Sequence, residues 1–164
     1  MKKHRIDVKS RVLTAGLELD IALLRRSIVT ALSMEDVDRP CFVSVLITDD
    51  AGIRALNCVY RGKDSATDVL SFPQQVLTPG FFDPVLSEID RDTGLLPLGD
   101  IVLSLDRLKS QARAFGQPLD REMAYLTIHS VLHLLGYDHL DEGEEKRRMR
   151  AREEAILEKV WISG

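Results

Sequence analysis

Three of the four histidines in this chain, His129, His133 and His139, fall within one eleven-residue run, HSVLHLLGYDH. His129 and His133 are four apart, so a helix brings both rings to one face about a turn apart. A zinc ion bonded to imidazole nitrogen at ~2.0–2.1 Å can be bridged from two such positions. Gly136 ends the helix and reverses the chain, which lets His139 swing back with a third nitrogen. Three protein ligands leave one tetrahedral position for water, the pattern of a catalytic zinc and not of a structural one. The surrounding residues are apolar, and an imidazole buried there without a partner costs roughly 1–3 kcal/mol. A metal removes that cost. Zinc, one ion per chain, is the expectation; nickel or copper also suits a set of three imidazoles. Zinc peptidases use H-E-x-x-H, with the glutamate as general base. Here Ser130 follows the first histidine, so a peptidase fits the layout but lacks its base.

The elements that must position these residues follow from periodicity. From Asp120, apolar residues including Met123, Leu126, Ile128, Val131, Leu132 and Leu135 cover nearly the whole circumference of a helix, which therefore is buried. Before it, Ser104 can cap a helix through about Phe115, with Gly116 just past its end. Asp100 to Leu103 and Val69 to Phe72 read as short strands, the second closed by Pro73. Between them, residues 74–97 hold three prolines and read as a long irregular loop. Cys41 to Ile47 is a β-rich apolar run, a buried strand. Asp49 and Asp50 can cap a helix carrying Ile53, Leu56 and Tyr60, followed by the turn-rich Arg61–Ser65. Leu17, Ile21, Leu24, Ile28 and Leu32 mark a helix over about 16–33. The run from Asp141 to about Lys159 is rich in charge and reads as a solvated helix surface; its acids do not have the EF-hand spacing. The order is strand, helix, strand, helix, strand, then strand and several helices. That predicts an α+β fold: a small mixed sheet of about four strands packed with about five helices, with a zincin-like metal-bearing helix.

The 164 residues suit one domain, 1–164. Hydrophobic residues at 45% and charged residues at 29% exclude a disordered tail and a collagen-like repeat. No apolar run is long enough to span a bilayer, and the N-terminus lacks a signal-peptide core, so no membrane partner and a cytoplasmic location are expected. Cys41 and Cys58 form no C-x-x-C pair, which excludes a thiol zinc ribbon and a disulfide framework. The net charge of −4 means that a nucleic-acid partner would need a local basic patch. Arg54, Arg107, Lys109 and Arg113 are candidates for such a rim, or simply solvated helix charges.

The histidine run, together with NCVYRGKDSATDVLSFP at 57–73 and LGDIV at 98–102, resembles the YbeY family of rRNA-maturation endoribonucleases. The blocks appear in the family's order, and the similarity covers roughly residues 40–160. Ser130 departs from it, since the family usually has glycine there, and the loop 74–97 is longer than usual. The resemblance implies a metal-dependent endoribonuclease directed at single strands. It implies work on the 3′ end of small-subunit rRNA and in ribosome quality control. It also implies a zinc held by His129, His133 and His139, and it assigns the family's functional arginine to Arg61.

An arginine supplies a planar, permanently charged fork that matches phosphate, so Arg61 is expected to clamp the scissile phosphate. His129 and Arg61 are the expected catalytic residues. The attacking group is left open between a metal-activated water and the RNA 2′-hydroxyl. Asp138 is a candidate for orienting a ligand, Lys63 and Asp64 for a loop ion pair or, for Lys63, an RNA contact. Tyr137 is read as packing, and Thr67, Asp68 and Ser71 as loop backbone partners. Single-stranded rRNA, and the small ribosomal subunit or its proteins, are the expected partners; oligomeric state is not legible. Two other classes fit part of the pattern: a zinc peptidase or amidase, and a ribosome-assembly factor without catalysis whose zinc is structural.

Overall fold

The computed structural model describes residues 3–13, 18–82, 88–138 and 143–163. His139 lies outside them. The elements run β1 (Arg5–Ser10), α1 (Ile21–Met34), β2 (Cys41–Thr48), α2 (Asp50–Arg61), β3 (Val69–Pro73), β4 (Leu96–Ser104), α3 (Leu105–Phe115), α4 (Leu119–Leu134) and α5 (Glu144–Ser163). The four strands form one sheet in the order β1-β2-β4-β3. β1 and β4 pair parallel with β2, and β3 pairs antiparallel with β4 at the edge. This is the expected α+β architecture: among the described residues, a mixed four-stranded sheet with five helices.

Strand β2 shows why the sheet has a buried face. Cys41, Val43, Val45 and Ile47 alternate along it and are all fully buried, as a period of two requires. Helices α1 and α4 cover that face, and α5 packs on both through Met149, Ile156, Leu157 and Val160. The opposite face is covered in part by α2, where Ile53 meets Leu70 and Val102.

Caps set the helix starts. The Asp20 carboxylate accepts from Leu23 N at 3.0 Å, so α1 begins at Ile21 and not near residue 16. Asp49 caps α2 through Gly52 N at 2.8 Å, and Ser104 caps α3 through Arg107 N at 3.3 Å. Both caps match the sequence reading. Strand β4 is longer than expected: it starts at Leu96, inside the stretch read as loop. Pro97 is tolerated there because it lies beyond the last β3 pair, Pro73–Gly99, and next to a register shift at Phe42/Val43. The first strand, β1, is pinned by the fourth histidine: His4 Nδ1 accepts from Cys41 N at 2.9 Å, and burial holds its pKa below the usual range.

Candidate metal and phosphate site

His129 and His133 sit one turn apart on α4 with their Nε2 atoms 3.0 Å from each other. The Nδ1 atom of His133 lies 3.0 Å from the carbonyl oxygen of Tyr137. A carbonyl only accepts, so that nitrogen carries the proton and Nε2 presents its lone pair. The Nδ1 atom of His129 bonds the carboxylate of Glu153, a residue only 3% exposed. A carboxylate accepts, so this Nδ1 donates as well. At 3.0 Å the two Nε2 atoms are within reach of an N–H···N hydrogen bond, and their spacing is also close to that of two ligands on one metal ion. Two nitrogens of a tetrahedral zinc stand ~3.3 Å apart at ordinary bond lengths, so the pair suits a metal. Among the described residues no three His, Cys, Asp or Glu side chains converge, and the third expected donor, His139, is not among them.

The end of α4 is built to turn the chain back over this pair. Tyr137 N donates to Leu132 O at 3.0 Å and Gly136 N to His133 O at 3.0 Å. These are the two bonds of a Schellman ending, with Gly136 at φ +98°. A side chain is excluded there twice over, because a Cβ on Gly136 would stand 2.0 Å from the Leu77 carbonyl oxygen. The start of the long loop therefore braces the reversal, and Gln75 Nε2 anchors that loop to Pro97 O at 2.8 Å.

The facing wall comes from α2 and β3. Arg61 is the last residue of α2, and Gly62, at φ +66°, closes the helix. The Arg61 guanidinium donates from Nη2 to the Ser71 carbonyl at 2.5 Å and lies 5.4 Å from the centre of the Phe72 ring. Arg61, Ser71, His129, His133 and Asp138 all line one cleft of about 480 Å³. A permanent cation and an imidazole pair thus share one solvent-open space.

A family model for the endoribonuclease YbeY matches residues 10–161. The chain belongs to the YbeY endoribonuclease family. It is 44% identical over 158 residues to the endoribonuclease YbeY of Caldanaerobacter subterraneus subsp. tengcongensis, covering 94% of each chain. It is 43% identical over 145 residues to that of Roseiflexus sp., covering 88% of this chain and 86% of the other. The solution structure of TM1509 from Thermotoga maritima superposes with a TM-score of 0.62 at 25% identity, covering 96% of this chain and 90% of that one.

In this YbeY-family chain the other residues singled out from sequence divide clearly. Asp64 pairs with Arg54, at 2.7 and 3.1 Å, and not with Lys63. The Arg54 guanidinium holds the exposed Asp64 carboxyl below its usual range. Asp68 is a backbone partner as read: it accepts from Val69 N at 2.7 Å and also from Gln111 Nε2 at 3.1 Å. Thr67 hydrogen-bonds Asp68. Tyr137 is packing: its hydroxyl bonds the buried Glu35, and burial, with that contact, pushes its pKa up to about 12. Of the proposed basic rim, Arg107 is bonded to Asp50 at 3.2 Å and Lys109 to Glu18 at 2.6 Å. Ser71, read as a loop partner, instead lines the cleft.

Two residues escaped the sequence reading. Glu153 and Arg152 belong to the run read as a solvated surface, yet both turn inward. Glu153 bonds His129 and also accepts from the Tyr125 hydroxyl at 3.2 Å. Arg152 Nε donates to Glu35 at 2.7 Å and its Nη2 to Met34 O at 3.1 Å. The available signal was Met149, Glu153, Ile156, Leu157 and Val160, a helical stripe that is apolar except for one acid.

Proposed function

We propose that this protein is a metal-dependent endoribonuclease that cuts single-stranded ribosomal RNA in the cytoplasm, including the 3′ end of small-subunit rRNA, with a single zinc ion held by His129, His133 and His139. The observation that carries this reading is the shared cleft, which Arg61 lines together with the paired His129 and His133. In that reading α4 is a zincin-like metal helix and the whole chain is one such domain.

The residues then divide the work. The guanidinium of Arg61 spends one N–H on the Ser71 carbonyl, and its fork keeps further donors for a phosphate oxygen. Charge that builds on the phosphodiester oxygens during cleavage strengthens that contact, which is what accelerates a reaction. Glu153 and the Tyr137 carbonyl hold a proton on Nδ1 of His129 and His133, which fixes tautomer and ring orientation. A zinc bound there supplies Lewis acidity toward oxygen. Ser130 stands where a zinc peptidase carries its glutamate base, and its hydroxyl is bonded to Ser71. With net charge −4 and several basic side chains already paired, part of RNA recognition falls to the small ribosomal subunit or its proteins.

Incubating the purified protein with rRNA and with denatured casein, with and without a chelator, tests the reading. RNA cleavage that stops on chelation and returns with zinc is the expected result. Casein cleavage, or ribosome binding with neither activity, would overturn it. A 2′,3′-cyclic phosphate on the products would mark the 2′-hydroxyl as the attacking group and exclude metal-bound water as the main route.

A further inference from the structure

Ser130 follows His129 on α4 and is fully buried. A serine inside a helix usually turns back to a carbonyl of its own preceding turn or out to water. This one reaches off the helix to the Ser71 hydroxyl at 2.5 Å. Ser71 is on β3, which has a strand neighbour on one side only. The same residue gives its carbonyl to Arg61, and the next residue, Phe72, sets its ring beside that guanidinium. Two hydrogen bonds therefore run from the cation of one wall to the histidine helix of the other, through a single residue of an edge strand.

We propose that the Ser71–Ser130 hydroxyl pair is a positioning device for cleavage, tying β3 to α4 and so setting where Arg61 stands relative to His129 and His133. This rests on the reading of Arg61 as the phosphate ligand. The pair touches no reacting atom. It acts by holding the strand to which the guanidinium is bonded, and catalysis is sensitive to shifts of that kind because a displacement near 1 Å costs about a hundredfold in rate.

The test is cleavage of a single-stranded rRNA fragment by zinc-loaded wild type, Ser130→Ala, Ser71→Ala and Ser71→Thr, with metal content measured on each. The two alanine variants are expected to lose about ten- to a hundredfold in kcat, with KM and metal content unchanged. Ser71→Thr, which keeps the hydroxyl, is expected to restore most of the rate. Adding Ser130→Ala to Arg61→Lys is expected to cause no further loss, because the hydroxyl pair works through Arg61. Wild-type kcat in both alanine variants, or a full further loss in the Arg61→Lys background, would overturn the inference. Wild-type cleavage by Arg61→Lys would instead contradict the reading of Arg61 itself, so the two failures are distinguishable.

Discussion

At the scale of single residues, the chemistry depends on side chains whose partners lie far away in sequence. His129 and His133 were legible because i,i+4 spacing is a local property of a helix. Arg61, which lines the cleft, stands out in the sequence only through its resemblance block, since nothing local separates it from a solvated loop charge. Glu153 was not legible as a partner of His129, because the contact forms only when α5 docks on α4, 24 residues away in sequence. Arg61→Ala should abolish RNA cleavage and retain bound zinc, as measured by gel assay and elemental analysis on one preparation; metal loss would contradict the assigned role. Glu153→Gln keeps the shape of the side chain but removes its charge. Zinc affinity should fall about 10–100-fold, read by competition with a chromophoric chelator, and an unchanged affinity would show that the carboxylate does not tune the ligand.

At the scale of elements, caps and chain reversals decide how accurately the sequence could be read. Asp49 and Ser104 mark the starts of α2 and α3 in the sequence itself, and Gly136 marks the stop of α4. The start of β4 and the docking of Leu77 against Gly136 were hidden because both depend on tertiary approach. Gly136→Ala should destabilise the fold by about 2–3 kcal/mol in urea unfolding, since the backbone is left-handed and the Leu77 carbonyl occupies the space. Unfolding at the wild-type midpoint would contradict the bracing role of the loop. Within α4, Glu122 is 5% exposed. Burial first, then the nearby Asp68 charge, lifts its pKa above the usual glutamate range. The folded state therefore favours the protonated acid: its contribution is fully present below the unfolded pKa and is lost as pH rises through the folded one. Glu122→Gln mimics the protonated form, so it should melt above wild type at pH 7, with the difference closing as pH falls below about 4. A constant difference across that range would show that ionisation is not the cause.

At the scale of the whole molecule, the fold brings together two sequence blocks, 61–73 and 129–138, as facing walls of one cleft. The sheet edge supplies one wall, the buried helix the other, and α5 closes behind the histidines. The order of elements from α1 onward is readable from periodicity, whereas no residues were singled out for β1 (Arg5–Ser10); the meeting of edge strand and helix is not readable, because no local pattern encodes which sheet edge a helix will border. Zinc counting on the purified chain and on His133→Ala, by elemental analysis after dialysis, bears most directly on whether this cleft is a metal centre. One zinc per chain in the wild type and close to none in the variant is the expected pair of values. Equal zinc occupancy in both proteins would contradict it.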